Sequence, residues 1–488
     1  MRVLLLISFI FTVLPAQRFS TYDKDSLYEH NFINITFLPD YVTGDHRWRR
    51  PLEINTISLN ILAGNGNILR GVEIGGLWNG MTAEGDGVQI AGLVNTVDWD
   101  FTGIQAAGIV NLVDNTFSGF NILGTDMLGY QVAGIANVIG EFRGGIQSAG
   151  VVNVVNSFNG GFQISGVANV IEGNFNGGIQ IAGIANVIDQ RFNGGLQIAS
   201  VANVNDNSFN GGFQISGVAN VNDKDFNGGF QLAGLANVNG GQFGGGIQIS
   251  GTANVVNDNF NGGMQLSGIA NVVDHSYNGG IQVSGISNVI GNSFNGGFQL
   301  SGLANVIDDS FNSGLQMSGL VNVVERNFTN GIQLAGLVNV SDYFVNGIQI
   351  AGLVNVSNEF ENGLQIGLIN VSNYNDGYPI GLISFVDNVP IEFDIWADDS
   401  KFLNFGLRTG TYGFRNMLFI GSNQVTVGLG KTDVDRLTVG LILSRHLELS
   451  YTSYLDIDVG GQQIIEEDHR WDLNQLYKFR LILGKRIA

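Results

Sequence analysis

Glu172, Asp189, Asp206 and Asp223 follow one another at steps of seventeen residues, and Asp274, Asp308, Glu325 and Asp342 fall on the same grid further along. Carboxylates stacked at one spacing repel. A hard cation that takes oxygen ligands, calcium above all, would relieve that repulsion. Gly240, Asn257 and Gly291 interrupt the grid, and the glycine–aspartate nonapeptide of calcium-binding β-rolls is absent. A calcium-stabilised rod is therefore a secondary expectation beside the plainer one, a solvated acidic turn. No other residue type is arranged for metal or cofactor chemistry. Cysteine is absent, and His30, His46, His275, His446 and His469 show no ligand spacing.

Catalysis and nucleic-acid binding find little support. A polysaccharide-cleaving β-helix needs clustered acids with lysine or arginine close by. Here Arg143, Arg191, Lys224 and Arg326 are scattered through the middle of the chain. The formal charge of -20 opposes binding to phosphate backbones. No enzyme and no nucleic-acid partner is expected.

The elements that carry the acidic grid are the repeat itself. The glutamine of "GFQIS" recurs at Gln163, Gln180, Gln197, Gln214, Gln231, Gln248, Gln265, Gln282, Gln299, Gln316 and Gln333, always seventeen residues on. Sixteen-residue steps flank this run, through Glu73, Gln89, Gln105 and Asn121 before it and Gln349 and Gln365 after it; Gln131 and Gln147 also belong. Six residues beyond the anchor stands asparagine, as Asn169, Asn186, Asn203, Asn220, Asn237, Asn254 and Asn271. Five before it in most copies stands an aromatic, such as Phe158, Phe175 or Tyr277.

Each copy reads as one strand around "FQIS", a glycine corner, a second strand around "VANV", and a polar turn that begins at "ND" and closes with "FNGG". Alternation sets glutamine on one face and its apolar neighbours on the other. In a β-solenoid such columns stack at about 4.8 Å, so amides hydrogen-bond along a ladder and rings pile up. In a transmembrane barrel, neighbouring copies would run antiparallel and the columns would not meet. The fixed step favours an all-β chain: a β-solenoid of 16–17-residue coils. The asparagines then form a structural ladder, and the phenylalanines pack inside the coil.

The expected organisation is a signal peptide at 1–16, an N-terminal cap at 17–57 with the basic "HRWRR", solenoid coils at 58–377, and an antiparallel β-meander domain or cap at 378–488. "MRVLLLISFIFTVLPAQ" has the single charge, apolar run and small residue of an export signal. "LTVGLILS" and "HLELSYTSYLDIDV" alternate like meander strands.

The "GhQIxGLhNV" phrase, "LNILAGNGNILRGVEIGGLWN" and "GYPIGLISFVDN" resemble the glycine-rich surface-repeat proteins of Gram-negative bacteria, notably Bacteroidota and spirochaetes. That resemblance implies the cell surface or outer membrane. The expected function is an exported, non-enzymatic structural or adhesive scaffold whose faces present repeated polar columns to a surface partner or glycan. The alternative is an outer-membrane β-barrel component, in which the C-terminal meander or the whole repeat array forms the barrel, with membrane association through the C-terminal domain.

Overall fold

The computed structural model describes residues 17–21, 28–38, 52–119, 121–122, 125–126, 129–397, 403–423, 436–466 and 469–485. The expected signal peptide and the "HRWRR" stretch lie outside the described residues. Every regular element among those described is a β-strand. The chain divides into two compact units, Met1–Ser250 and Gly251–Ala488, and the same coil recurs in each.

One coil of the first unit shows the construction. Phe162–Ser165 and Ala168–Ile171 are four-residue strands, and each lies parallel to its counterpart one repeat later. Glutamine pairs with glutamine (Gln163 with Gln180) and asparagine with asparagine (Asn169 with Asn186). The architecture is thus a parallel β-solenoid. "FNGG" is not all turn, as the sequence suggested. Phe175–Asn176 is a third short strand, parallel to Phe192–Asn193, so each coil has three sides. Only the two glycines turn the chain.

The period-2 alternation of a strand fixes which side chains share a face, and the choice made here inverts the usual one. Phe158, Gln163, Ser165, Asn169 and Ile171 point inward and are buried. Phe162, Ile164 and Val167 point outward and are exposed. The polar columns expected on the surface are therefore inside, and the outward columns of the first two sides are aliphatic and aromatic. Inside, phenylalanine rings pile face to face. Phe175, Phe192 and Phe209 stack with centroids 4.7 and 4.3 Å apart and planes within 5°. Each buried ring contributes about 2–3 kcal/mol by leaving water, with roughly 1 kcal/mol more from stacking.

Two details of the first unit differ from the sequence reading. Asn121 is not a rung: Gln131 pairs directly with Gln105, and Asn121–Ile122 pairs antiparallel with Thr125–Asp126 in an excursion between those coils. The parallel stacking also reaches into the segment read as a cap, because Tyr28–Thr36 lies parallel to Leu52–Asn60. Gln17–Thr21 runs antiparallel against Tyr28–Thr36.

In the second unit the coils continue to Ile383–Val386, and a six-stranded antiparallel sheet follows. Its strands are Glu392–Ala397, Leu403–Gly410, Phe414–Ser422, Arg436–Glu448, Ser453–Glu466 and His469–Lys485, each paired with the next.

The glycine pair after the Phe-Asn strand serves two distinct needs. Gly194 has φ +76° with open space where a Cβ would sit, and later copies place Asn330, Asn346 and Asn362 there at φ near +50°. Gly195 has φ +115°, and a Cβ would lie 2.3 Å from the Gly178 carbonyl oxygen of the coil below. Gly195→Ala combines left-handed strain of about 1–2 kcal/mol with a backbone collision and is expected to cost roughly 3 kcal/mol or more. Gly194→Asn is expected to stay within about 1 kcal/mol of the parent. Urea midpoints of the two variants check this; equal midpoints would contradict the assignment.

Candidate functional site

Because each glutamine and asparagine faces its own copy one coil away, the side-chain amides have a partner above and below. The two ladders run in opposite senses. Gln180, Gln197 and Gln214 each donate from Nε2 to the Oε1 of the preceding glutamine, at 2.9, 3.1 and 3.1 Å. Asn169, Asn186 and Asn203 each donate from Nδ2 to the Oδ1 of the following asparagine, all at 2.9 Å. The second Nδ2 hydrogen of each goes to a backbone carbonyl of the next coil, Ile181, Ile198 and Ile215 respectively, at 2.7–2.8 Å. Asn220 continues the row onto Asn237 in the first unit, and in the second Asn254 donates to Asn271 and Asn271 to Asn288. A buried polar group without a partner costs about 1–3 kcal/mol; here the asparagine amides are fully used.

Three consecutive coils carry a further buried rung that the sequence reading missed. Asn205, Asn222 and Asn239 occupy the inward position held elsewhere by Ile171 or Ile188. Asn205 donates to Asn222, and Asn222 to Asn239, at 2.8 and 2.9 Å. "ND" therefore does not open a solvent-facing loop: Asn222 is buried and only Asp223 is exposed. The signal was legible at a fixed offset of eight from the anchor glutamine, where three neighbouring copies exchange an aliphatic residue for asparagine.

Ladders need ends. At the start of the first unit Gln89 donates to Glu73 Oε2 at 2.9 Å, and Asn60 donates to Glu73 Oε1 and to Asn79 Oδ1, both at 2.8 Å. A carboxyl group that accepts at both oxygens thus closes the glutamine row, and one amide joins the two rows. Burial pushes the Glu73 carboxyl up to about 7, against the lowering effect of its bonds to Gln89, Asn60 and Ser58. At the far end of the second unit Asn375 donates to Gln365 Oε1 at 3.0 Å. Asn370 donates to the Ser384 hydroxyl, which also accepts from Asn416 of the six-stranded sheet at 2.7 Å. Asn416 further donates to the Pro379 carbonyl at 2.6 Å, so that sheet closes the last coil.

The acidic grid lies outside this interior. Glu172, Asp189, Asp206 and Asp223 are exposed in the first unit; in the second, Asp274, Asp308 and Glu325 are exposed and Asp342 is half-buried. Partial desolvation raises the Asp206 carboxyl, helped by its neighbours Asp189 and Asp223 in the column. Among the described residues no three carboxylate or imidazole groups converge to hold a metal ion. Beside the grid, the asparagines of the third side form a solvent-exposed ladder, Asn193 donating to Asn176 and Asn210 to Asn193 at 2.8 and 2.9 Å.

A shallow groove of the second unit is lined by Asn346, Ile348, Asn362, Leu364 and Tyr378. It contains no carboxylate, imidazole or cationic side chain. Ion pairs concentrate instead on one face of the six-stranded sheet. Arg408 donates to Asp394 at 2.7 Å and to Asp456 at 3.3 Å, Arg480 donates to Asp458 at 2.8 Å, and His446 meets Asp456. Comparison with protein-family models, with curated proteins and with solved structures gives no match.

Glu73 generates a pH test. Its folded value lies above the ordinary 4.5, so its contribution to stability is complete below about 4.5 and is lost as pH rises through about 7. At roughly 1.4 kcal/mol per unit, the loss by pH 8 is on the order of 3 kcal/mol. Glu73→Gln is expected to match the parent near pH 5 and exceed it at pH 8 in urea midpoint. An equal change at both pH values would contradict the burial account.

Proposed function

We propose that this chain is an exported, non-enzymatic repeat scaffold of a Gram-negative cell surface, structural or adhesive in role. One observation supports the reading above the others: the coil interior is closed upon itself. Asparagine and glutamine rungs spend their amides on neighbouring rungs, the ring column stacks along the same interior, and among the described residues no three carboxylate or imidazole groups converge.

What the coil offers to a partner is its exterior. On the first side that exterior is columns of Ile, Leu, Val and Phe, on the second columns of Ala and Val, and on the third an amide ladder flanked by acidic turns. Identical sites repeated along one axis add avidity without new contacts, which suits adhesion or lateral assembly. The apolar first segment with its small residue at Ala16 and the resemblance to surface-repeat proteins support export.

A second role, anchorage in the outer membrane, is favoured by the six-stranded sheet, whose ion pairs lie on one face and most of whose exposed apolar residues lie on the other.

Protease treatment of intact cells producing the chain tests the main reading. The expected result is degradation without permeabilising the cells, with a mature N-terminus near Gln17 by mass spectrometry. Protection until lysis, with Met1 retained, would overturn it.

A further inference from the structure

The six-stranded sheet of the second unit has its polarity reversed relative to a water-soluble sheet. Its inward face holds Arg408, Asp456 and Asp458, all buried, together with Met417, Phe419 and Ile442. Its outward face holds Phe405, Leu407, Leu418, Ile420, Val439, Leu441, Leu443, Leu455, Ile457 and Val459, then Phe479, Leu481 and Leu483 on the last strand. Phe479 is 67 % exposed, Leu481 62 % and Leu483 74 %.

Among the described residues this face carries no charge except at its ends and at Arg445. The Arg445 guanidinium lies 5.4 Å from the centroid of the Tyr378 ring of the last coil and so is turned to protein. Thr409 and Asn416, also outward, are bonded to that coil.

The shape of the apolar region identifies its cover. Straight across the sheet, Phe405 pairs with Ile420, Ile420 with Val439, Val439 with Gln463 and Gln463 with Gln475. A belt perpendicular to the strands would thus end on two glutamines. On this face the exposed apolar residues of the last two strands instead lie four residues along, at Val459 and Phe479, and the apolar run continues through half-buried Ile457 and exposed Leu481. The belt therefore steps along the strands as it crosses them. A layer of constant height does the same on strands tilted by roughly 35–45°.

Tyr477 marks one border: its ring is exposed beside Phe479 and its hydroxyl donates to Gln475 at 3.1 Å, as interfacial tyrosines do. The last three strands have 13, 14 and 17 residues, more than the roughly 9–11 that a tilted strand needs to cross the hydrocarbon core.

We propose that this belt is covered by the acyl chains of a lipid bilayer, with the sheet forming one segment of a membrane β-barrel closed by further copies of this chain. Two constraints require further strands beside this sheet, and its own two edges are suited to supply them. Hydrocarbon does not tolerate unpaired strand edges, and six strands fall short of the eight in the smallest such barrels. Glu392–Ala397 and His469–Lys485 are the outer strands of the sheet, and in an alternating antiparallel order the last strand of one copy pairs antiparallel with the first of the next. The proposal deepens the anchorage reading and does not depend on where the protein sits in a cell.

The absence of native cysteine makes the test direct. Full-length Leu481→Cys, Leu483→Cys and Ile457→Cys, with the inward Ile482→Cys as control, are labelled with an environment-sensitive fluorophore and folded into phosphatidylcholine vesicles. The expected result is several-fold stronger quenching by acyl-chain spin labels at the three outward positions than at 482, with multimers on cross-linking in the vesicles. Failure to associate with vesicles would overturn the proposal. So would quenching of the outward positions by aqueous iodide, shielding from both quenchers (as in face-to-face packing of two copies), or a monomer in the membrane. Surface exposure in the protease experiment with vesicle failure would leave the scaffold reading standing without the barrel.

Discussion

The interaction on which the coil depends is the side-chain amide ladder. An asparagine or glutamine can be buried only if its donors and acceptor are met, and a parallel solenoid offers one general way to do so: place the same residue at the same position of the next coil. This requirement explains why the repeats are so alike. Asn186 is satisfied by Asn203 and by a carbonyl of the next coil, Ile198, so an aliphatic residue at either rung strands its neighbour. The opposed directions of the glutamine and asparagine rows set their dipoles against each other. Where a row stops, a different residue takes over: in the first unit Glu73 accepts from Gln89, and in the second Asn375 donates to Gln365 and Asn416 to Ser384.

A polar interior leaves apolar residues for the exterior, because neighbours in a strand alternate. The inversion is thus a consequence of the ladder. Ile164 and Val167 lie outside because Gln163 and Ser165 lie inside. The six-stranded sheet reaches the same polarity by a different route. Its interior is stabilised by ion pairs such as Arg408 with Asp394 and Arg480 with Asp458. Both parts of the second unit therefore carry exposed apolar surface of a kind that water-soluble monomers rarely display in large patches.

The period of the columns was legible in the sequence, and so were the solenoid and the antiparallel sheet that follows it, because identical residues at seventeen-residue steps only gain from stacking if the coils are parallel. The direction in which the columns face was not. Alternation separates Gln163 from Ile164 but does not say which is inside, and the usual preference for buried aliphatics points the wrong way. Phe175–Asn176 escaped as a strand because two residues between a polar turn and two glycines carry no alternation to read. Asn121 was mistaken for a rung because it sits sixteen residues after Gln105, while an excursion of the chain moves the true rung to Gln131. The cap at Glu73 was visible as an oddity in the glutamine column, but its meaning depends on Asn60, which only the fold brings beside it.

Exchange of side-chain amide hydrogens, followed by NMR on protein labelled at asparagine and glutamine nitrogen, tests the central claim most directly. The third-side ladder supplies an internal control, since Asn193 and Asn210 form similar bonds in contact with solvent. The account predicts that the amides of Asn186, Asn203, Gln197 and Gln214 exchange as slowly as the strand backbone, while those of Asn193 and Asn210 exchange far faster. Equal, rapid exchange at all of these positions would contradict it.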